Sequence, residues 1–265
     1  MYRNTFLSVM FLACCFNGSL CAQSDAQIYE RTCDAKTYPF SDPSPVATPN
    51  NSYYPYFRFD GFSMQAQEKQ WKMVVLENDY VKLTVTPEIG GKIWGAIDKV
   101  NNKEFVYTNG VVKFRDVAMR GPWTSGGIEF NFGIIGHAPT CSTPIDYLTK
   151  KNVDGSVSCH IFSYEWITRT VWNVEINLPK DKAYFTTHTT WFNQSSIDQP
   201  YYQWMNAGYA TKTGTRFYYP GTYSIGHSGD LHPYPIDEEG RDVSWYDNNN
   251  FGASKSLHII CLLYT

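Results

Sequence analysis

The segment RGPWTSGGIEFNFGIIGHAPT, from Arg120 to Thr140, holds the densest set of side chains suited to chemistry. Glycines and prolines interrupt a run of apolar and aromatic residues, and a few polar or stacking groups remain: Arg120, Trp123, Glu129, Asn131 and His137. Glycine lets backbone approach a ligand closely, and tryptophan offers a flat face for stacking. This mixture is typical of a loop that lines a binding cleft.

Glu129 and His137 are the residues of this segment that could move protons at a sugar ring. One would take a hydroxyl proton, and the other would donate a proton to a ring or glycosidic oxygen. We therefore predict both as catalytic residues. A glycosidase more often uses two carboxylates, and the two side chains could equally be structural hydrogen bonders.

Two further segments contain candidate ligand contacts. In YYQWMNAGYA, the residues Tyr202, Trp204 and Asn206 alternate with their neighbours, so a strand here would present them on one face, although the pattern also suits a core. The segment from Phe217 to Asp242 contains four metal-ligating or acid–base side chains: His227, Asp230, His232 and Asp237. Their spacing matches no established metal pattern, so we predict a loop near the cleft, with no metal and no cofactor.

The residues predicted to contact substrate are Arg120, Trp123, Asn131, Trp204, Asn206, His227 and Asp230.

Strand patterns dominate the elements that must position these groups. Val81, Leu83 and Val85 alternate with polar residues, and KIWGAIDKVNNKEFVYTN reads as two strands joined at Asn101–Asn102. Alternation also runs from Trp172 to Leu178, and a further strand is expected within Ala183 to Phe192. No window has the period of an amphipathic helix, so we predict an all-β fold of antiparallel hairpins, either a sandwich or a barrel.

The N-terminal sequence has the order of a secretory signal peptide: Arg3, an apolar run from Thr5 to Phe16, then small residues. We predict a signal peptide over residues 1–22, and acylation of a nearby cysteine, as in a surface lipoprotein, is the alternative. Residues 23–70, rich in Pro, Ser, Asn and Tyr, are predicted to form an N-terminal arm, and residues 71–265 the β domain. The mature protein is expected in the periplasm or outside the cell, and no later run is long enough for a membrane span.

Composition excludes one class of partner and favours another. The formal net charge is −3, with 22 Lys and Arg against 25 Asp and Glu, which excludes a nucleic-acid surface. Aromatic residues reach 17% while charged residues are only 18%, below the usual share of about 25%. Such a chain suits stacked strands and faces that contact sugars. Cys141 and Cys159 could pair in an oxidising compartment, and the cysteine spacings match no zinc motif.

LENDYVKLTVTPEIGGKIWGAIDKVNNKEFVY resembles the opening of galactose-mutarotase-like domains. VVKFRDVAMRGPWTSGGIEFNFGIIGHAPT, YYQWMNAGYA and FYYPGTYSIGHSGD resemble one branch of that superfamily, an uncharacterised family of exported bacterial proteins sometimes joined to tetratricopeptide repeats. The resemblance implies an antiparallel β supersandwich with a sugar cleft. It also implies ring opening by a histidine that protonates the ring oxygen and a glutamate that removes the anomeric proton.

His137 is the best match to the mutarotase histidine, with Arg120 as a substrate anchor. The mutarotase glutamate belongs to a region later than Thr265, so the domain is expected to be incomplete at its C-terminus, and the family pattern gives Glu129 no role. We therefore expect a carbohydrate-active protein of the epimerase, glycoside hydrolase or lyase type. The alternatives are a non-catalytic glycan-binding module, an inactive fragment of a longer enzyme, and a structural surface domain.

Overall fold

The computed structural model describes residues 24–40, 62–116, 122–132, 139–165, 168–200, 203–209, 212–225, 229–248 and 261–263. In chain order the strands are β1 (Gln27–Tyr38), β2 (Gln67–Glu77), β3 (Val81–Thr86), β4 (Lys92–Asp98), β5 (Lys103–Val106), β6 (Val112–Lys113), β7 (Arg115–Asp116), β8 (Pro122–Trp123), β9 (Ile128–Phe132), β10 (Asp146–Lys151), β11 (Val157–Glu165), β12 (Thr170–Leu178), β13 (Thr186–Asn193), β14 (Gln203–Ala207), β15 (Tyr223–Ile225), β16 (Leu231–Pro233) and β17 (Cys261–Leu263). Short 3-10 turns cover Pro87–Ile89, Pro139–Cys141 and Tyr246–Asn248. The predicted all-β fold is confirmed.

Two sheets form the body of the protein. The larger has eight strands in the order β14-β9-β4-β3-β2-β1-β6, with β5 beside β4, and the smaller has the order β10-β11-β12-β13. One buried cluster joins them, because apolar residues of the large sheet such as Val85 and Phe132 pack with residues of the small sheet such as Trp172 and Ile176. The Phe132 and Trp172 rings stack with centroids 4.3 Å apart. The result is a sandwich.

Alternation in sequence produces this packing directly. Along β12, every second residue from Thr170 to Leu178 is buried, and the residues between are half-buried. The same period in β3 buries Val81, Leu83 and Val85 against the core. These strands were predicted, because a period of two specifies both the conformation and the inward face.

The large sheet also buries side chains on its other face, here called the outer face. A second apolar cluster lies there, formed by Trp71, Met73, Ile89, Trp94, Val112 and Phe114. On β2 these residues alternate with Val74 and Leu76, which belong to the core between the sheets. The large sheet is therefore covered on both faces for part of its width.

Strand β1 was not predicted, because it lies within the segment interpreted as an arm. It pairs with β2 along almost its whole length, from Gln27 opposite Glu77 to Thr37 opposite Gln67. Most of its side chains are exposed, so no hydrophobic period marks the strand in the sequence. Its short contact with β6 is parallel, an exception to the expected antiparallel hairpins.

Cys33, Cys141 and Cys159 are free thiols, so the suggested Cys141–Cys159 disulfide is not present. Cys159 lies in β11 in the core between the sheets, whereas Cys141 ends the 3-10 turn Pro139–Cys141. The predicted signal peptide, residues 1–22, lies outside the described residues. Among those described, no helix is long and apolar enough to cross a membrane.

The register of β1 fixes which of its amides face β2. The amide of Lys72 donates to the Glu88 carboxylate at 2.6 Å, away from its β1 partner Thr32. In an antiparallel ladder bonded and non-bonded pairs alternate, so the amide of Arg31 points at Met73, and that of Thr32 points to the opposite edge. On that edge, within the described part of the chain, β6 pairs only with Thr37 and Tyr38.

We therefore expect a proline substitution to affect stability differently at Arg31 and at Thr32, although both side chains are exposed. Arg31→Pro should lower the free energy of unfolding by about 2–3 kcal/mol, because it removes a ladder donor and leaves a buried carbonyl unpaired. Thr32→Pro should cost less than about 1 kcal/mol, because proline is tolerated where the amide faces an open edge. Urea unfolding followed by circular dichroism measures both. Equal losses would contradict the register of β1.

Candidate functional site

Strand β9 carries two of the predicted site residues at the centre of the large sheet. All five of its residues are buried, and Ile128, Phe130 and Phe132 face the core between the sheets. Glu129 and Asn131 therefore face outward, where they are only 2% and 1% exposed. A carboxylate and an amide thus lie side by side on the outer face of the sheet, shielded from water.

Strand β14 brings two more predicted residues to the same face. It runs antiparallel to β9, with Trp204 opposite Asn131 and Asn206 opposite Glu129. Residues directly opposite each other share a face of the sheet. Trp204 and Asn206 are half-buried, whereas Met205, which points to the other face, is 54% exposed. The strand predicted for YYQWMNAGYA is present, and with β9 it gathers four predicted site residues: Glu129, Asn131, Trp204 and Asn206.

Lys92 is the residue of this group that sequence analysis missed. It opens β4, which pairs with β9 at Ile93 and Ile128, so Lys92 lies on the outer face beside Glu129. The side chain is 1% exposed, and its ammonium donates to both the carbonyl and the hydroxyl oxygen of Thr124. The sequence did contain a signal for its position. Lys92 is two residues from Trp94 and adjacent to Ile93, so in a strand it shares the face of Trp94 and lies opposite the face of Ile93.

Burial governs the charge of Lys92. Loss of hydration lowers its pKa from 10.5 to about 8, while the nearby Glu129 carboxylate opposes the shift and favours the ammonium form. Burial also raises the pKa of the Cys141 thiol well above its usual value, which keeps this thiol neutral. Glu129 is therefore the anionic group that supports the buried ammonium.

The polar contacts on β9 leave one acceptor free. Asn131 donates from Nδ2 to Oε1 of Glu129 at 2.7 Å. Its own carbonyl oxygen Oδ1 is buried and has no hydrogen-bond partner among the described residues. A buried amide oxygen without a partner is costly, so this atom is suited to accept a hydrogen bond from a ligand hydroxyl.

Gly127, the residue directly before β9, has a role in packing the sheet. Gly127 has φ +66°, and a β-carbon there would lie 2.3 Å from the carbonyl oxygen of Ile93. The amide of Gly127 donates to Tyr107, and its carbonyl accepts from Gly208. This close junction of three segments requires glycine at position 127, a role in sheet packing that the sequence interpretation did not include.

Trp123 lies at the border of the group. It ends the short strand β8 and is half-buried, and its ring centroid is 5.9 Å from the Lys92 ammonium. An ammonium at this distance from an indole is attracted to the ring. Trp123 and Thr124 together therefore connect the predicted segment to the buried lysine.

Four of the predicted site residues remain. Arg120, His137 and His227 lie outside the described residues. Asp230 is exposed beside β16, and its carboxylate lies 3.6 Å from His232, which is also 3.4 Å from Glu238. In the described ranges, no three His, Cys, Asp or Glu side chains are arranged to hold a metal ion.

The depressed pKa of Lys92 predicts a pH-dependent stability. Between pH 8 and 10.5 the unfolded chain holds the lysine proton and the folded chain has released it. Stability therefore rises with pH in this window. From pH 7 to 10, the wild type should gain about 2–3 kcal/mol relative to Lys92→Met.

Urea unfolding of both proteins at the two pH values measures this gain. Lys150→Met, which removes an exposed lysine of β10, is the control for loss of one charge. Wild-type and Lys92→Met stabilities that change in parallel with pH would show that Lys92 is not a buried ammonium.

Comparison with a solved structure supports the fold. A TPR-domain containing protein from Parabacteroides distasonis ATCC 8503 has a similar structure, with a TM-score of 0.71 and 24% sequence identity. The alignment covers 83% of this chain and 38% of that one, so this chain spans well under half of the length of that protein. At this identity the likeness shows the fold alone.

Comparison with family models identifies the chain more directly. The model described as Domain of unknown function (DUF5107) matches residues 48–264, which is most of the sequence. The match includes all of the strands that carry Lys92, Glu129, Asn131, Trp204 and Asn206. The chain therefore belongs to the DUF5107 family.

Proposed function

We propose that the protein binds a carbohydrate on the outer face of its large sheet, next to Glu129, Asn131, Trp204 and Asn206. The observation that carries the proposal is the register of β9 and β14, which sets an indole and three amide or carboxylate groups on one surface. Indole stacks on the apolar face of a pyranose, and amides and carboxylates read hydroxyl groups.

Two of these residues are exposed enough to contact a ligand directly, and two are buried. Trp204 and Asn206 are half-buried and belong to β14, at the end of the strand order of the large sheet. Glu129 and Asn131 lie beside them on β9 and are almost fully buried, so in this conformation a ligand reaches them less readily than Trp204 and Asn206. The free Oδ1 of Asn131 is the exception, since it could accept from a hydroxyl that reaches it.

The sequence resemblance to galactose-mutarotase-like domains agrees with this proposal. Those domains are sandwiches that bind sugars on one large sheet, and the present chain has two packed antiparallel sheets with a polar group on the outer face of the larger. Membership of that superfamily is part of the proposal. So are export of the protein and a catalytic pair of Glu129 and His137.

Binding without catalysis is the second candidate, and the burial of Glu129 favours it. A general base must come within hydrogen-bond reach of the proton that it takes. Glu129 is 2% exposed and already accepts from Asn131, so substrate would reach it only after its covering residues moved. Stacking on Trp204 requires no such movement.

Sugar binding is tested with a pair of neighbouring substitutions on β14. Trp204→Ala should weaken binding of the best ligand from a mono- and oligosaccharide panel by at least about tenfold, since it removes the stacking face. Met205→Ala, which alters the opposite face of the same strand, should leave the dissociation constant within about twofold. Isothermal titration calorimetry measures both. Equal effects, or no binding by the wild type, would reject the proposal.

Glu129→Gln separates catalysis from binding, because it keeps the shape and removes the charge. If Glu129 is an acid–base residue, turnover of the bound sugar should fall by about a hundredfold or more, well beyond any loss of affinity caused by leaving the Lys92 ammonium without its counter-charge. Polarimetry detects anomeric interconversion, and chromatography detects cleavage. A wild type that binds but converts none of its ligands, with unchanged affinity in Glu129→Gln, supports a binding module instead.

A further inference from the structure

An open polar cavity lies on the surface at the turn before β12 and the loop after β13. Its volume is about 610 Å³, and it is lined by Tyr164, Arg169, Gln194, Ser195, Ser196, Ile197 and Gln199. These residues come from the end of β11, the turn before β12 and the loop after β13. None belongs to the strands that carry Glu129, Lys92 or Trp204.

Arg169 occupies a conformation that its side chain disfavours. Its φ is +56°, in the left-handed region, where glycine or asparagine is the usual residue. The cost of placing a residue with a β-carbon there is about 1–2 kcal/mol. Turn formation alone would favour glycine, so the arginine side chain at this position calls for another explanation.

The turn around Arg169 is held firmly. Glu165 and Thr170 close the hairpin, and the Glu165 carboxylate accepts from both the amide and the hydroxyl of Thr168. The Thr168 hydroxyl also lies 2.8 Å from that of Thr170. These buried contacts fix the backbone immediately before Arg169. Arg169 itself is exposed, and it lines the cavity next to this fixed backbone.

The loop after β13, which forms the other wall of the cavity, is also held by hydrogen bonds. The side-chain oxygen Oδ1 of Asn193 accepts from the backbone amide and the hydroxyl of Ser195. The side-chain nitrogen Nδ2 of Asn193 donates to the backbone carbonyl of Ile197. Gln199 donates to the Ser195 hydroxyl at 3.1 Å. The loop is thus closed on itself by its own hydrogen bonds, so a ligand would enter a largely preformed site.

Hydrogen-bond donors remain available at the cavity. Within the described part of the chain, Arg169 forms no ion pair or hydrogen bond, and the side chains of Gln194 and Ser196 have no hydrogen-bond partner. Asp198, the acidic residue of the same loop, does not line the cavity. An arginine fork with neutral donors around it matches a carboxylate attached to a hydroxylated carbon frame.

We propose that this cavity binds a hydroxylated carboxylate, such as a hexuronic acid, with the carboxylate on Arg169 and the hydroxyls on Gln194, Ser196 and Gln199. The side-chain amides and the hydroxyl can both donate and accept, as sugar hydroxyls require. The left-handed arginine is retained because it supplies the charge of this site.

The test is calorimetric titration of the whole chain with sodium galacturonate, with galactose as the matched neutral sugar and sulfate as a bare oxyanion. The wild type should bind galacturonate saturably and more tightly than either. Arg169→Gly and Arg169→Gln should each weaken binding at least about tenfold. Trp204→Ala should not, which separates this site from the proposed sugar face.

Stability provides the independent readout. Arg169→Gly should keep or raise the melting temperature, by up to about 4 °C, because it relieves the left-handed strain. Asn102→Gly is the matched control, since Asn102 also has positive φ (+52°) but lies in the β4–β5 turn; it should not affect galacturonate binding. The proposal is overturned if the wild type does not bind galacturonate, or if Arg169→Gly and Arg169→Gln bind it as tightly as the wild type. It is also overturned if, in the Trp204→Ala variant, where the proposed sugar face is disabled, galactose or sulfate binds as tightly as galacturonate.

Discussion

Burial of β9 on both faces is the constraint on which the rest of the structure depends. On one face Phe132 stacks on Trp172 and joins the two sheets. On the other face the same short strand carries Glu129 and Asn131 out of contact with water. A strand cannot shift by one residue without exchanging these faces, so the apolar stack and the polar group fix the register for each other.

The polar side of this constraint explains Lys92. A buried carboxylate requires a partner, because an isolated buried charge costs far more than a hydrogen bond contributes. Lys92 provides the positive charge from β4, and Thr124 satisfies its ammonium. Apolar residues of similar size would often be at least as stable. The buried pair is thus weak evidence for stability, and the proposal of a ligand face beside it offers a different reason for its presence.

Sequence periodicity predicted the strands in which buried and exposed side chains alternate. It failed for a strand that is defined by backbone pairing with its neighbour and has no alternating burial. β3 and β12 follow a period of two, and the strand around Trp204 was expected to place Trp204 and Asn206 on one face. β1 has no apolar period, since its backbone pairs with β2 while most of its side chains are exposed. Lys92 was missed for a different reason. Its partners, Thr124 and Glu129, are more than thirty residues away, and a pattern within β4 cannot show which strand becomes its neighbour.

The fold by itself does not decide between an enzyme and a binding module, because one sandwich can carry either kind of site. The decision depends on which groups a ligand can reach. Trp204 and Asn206 are half-buried on β14. Glu129, beside them on β9, is almost fully buried, with its charge matched to Lys92 and its Oε1 bound to Asn131. A carboxylate held in this way is well placed to fix the shape of a surface. For catalysis it would have to give up part of that network whenever it took a proton, so a catalytic Glu129 requires a second arrangement of the same buried residues.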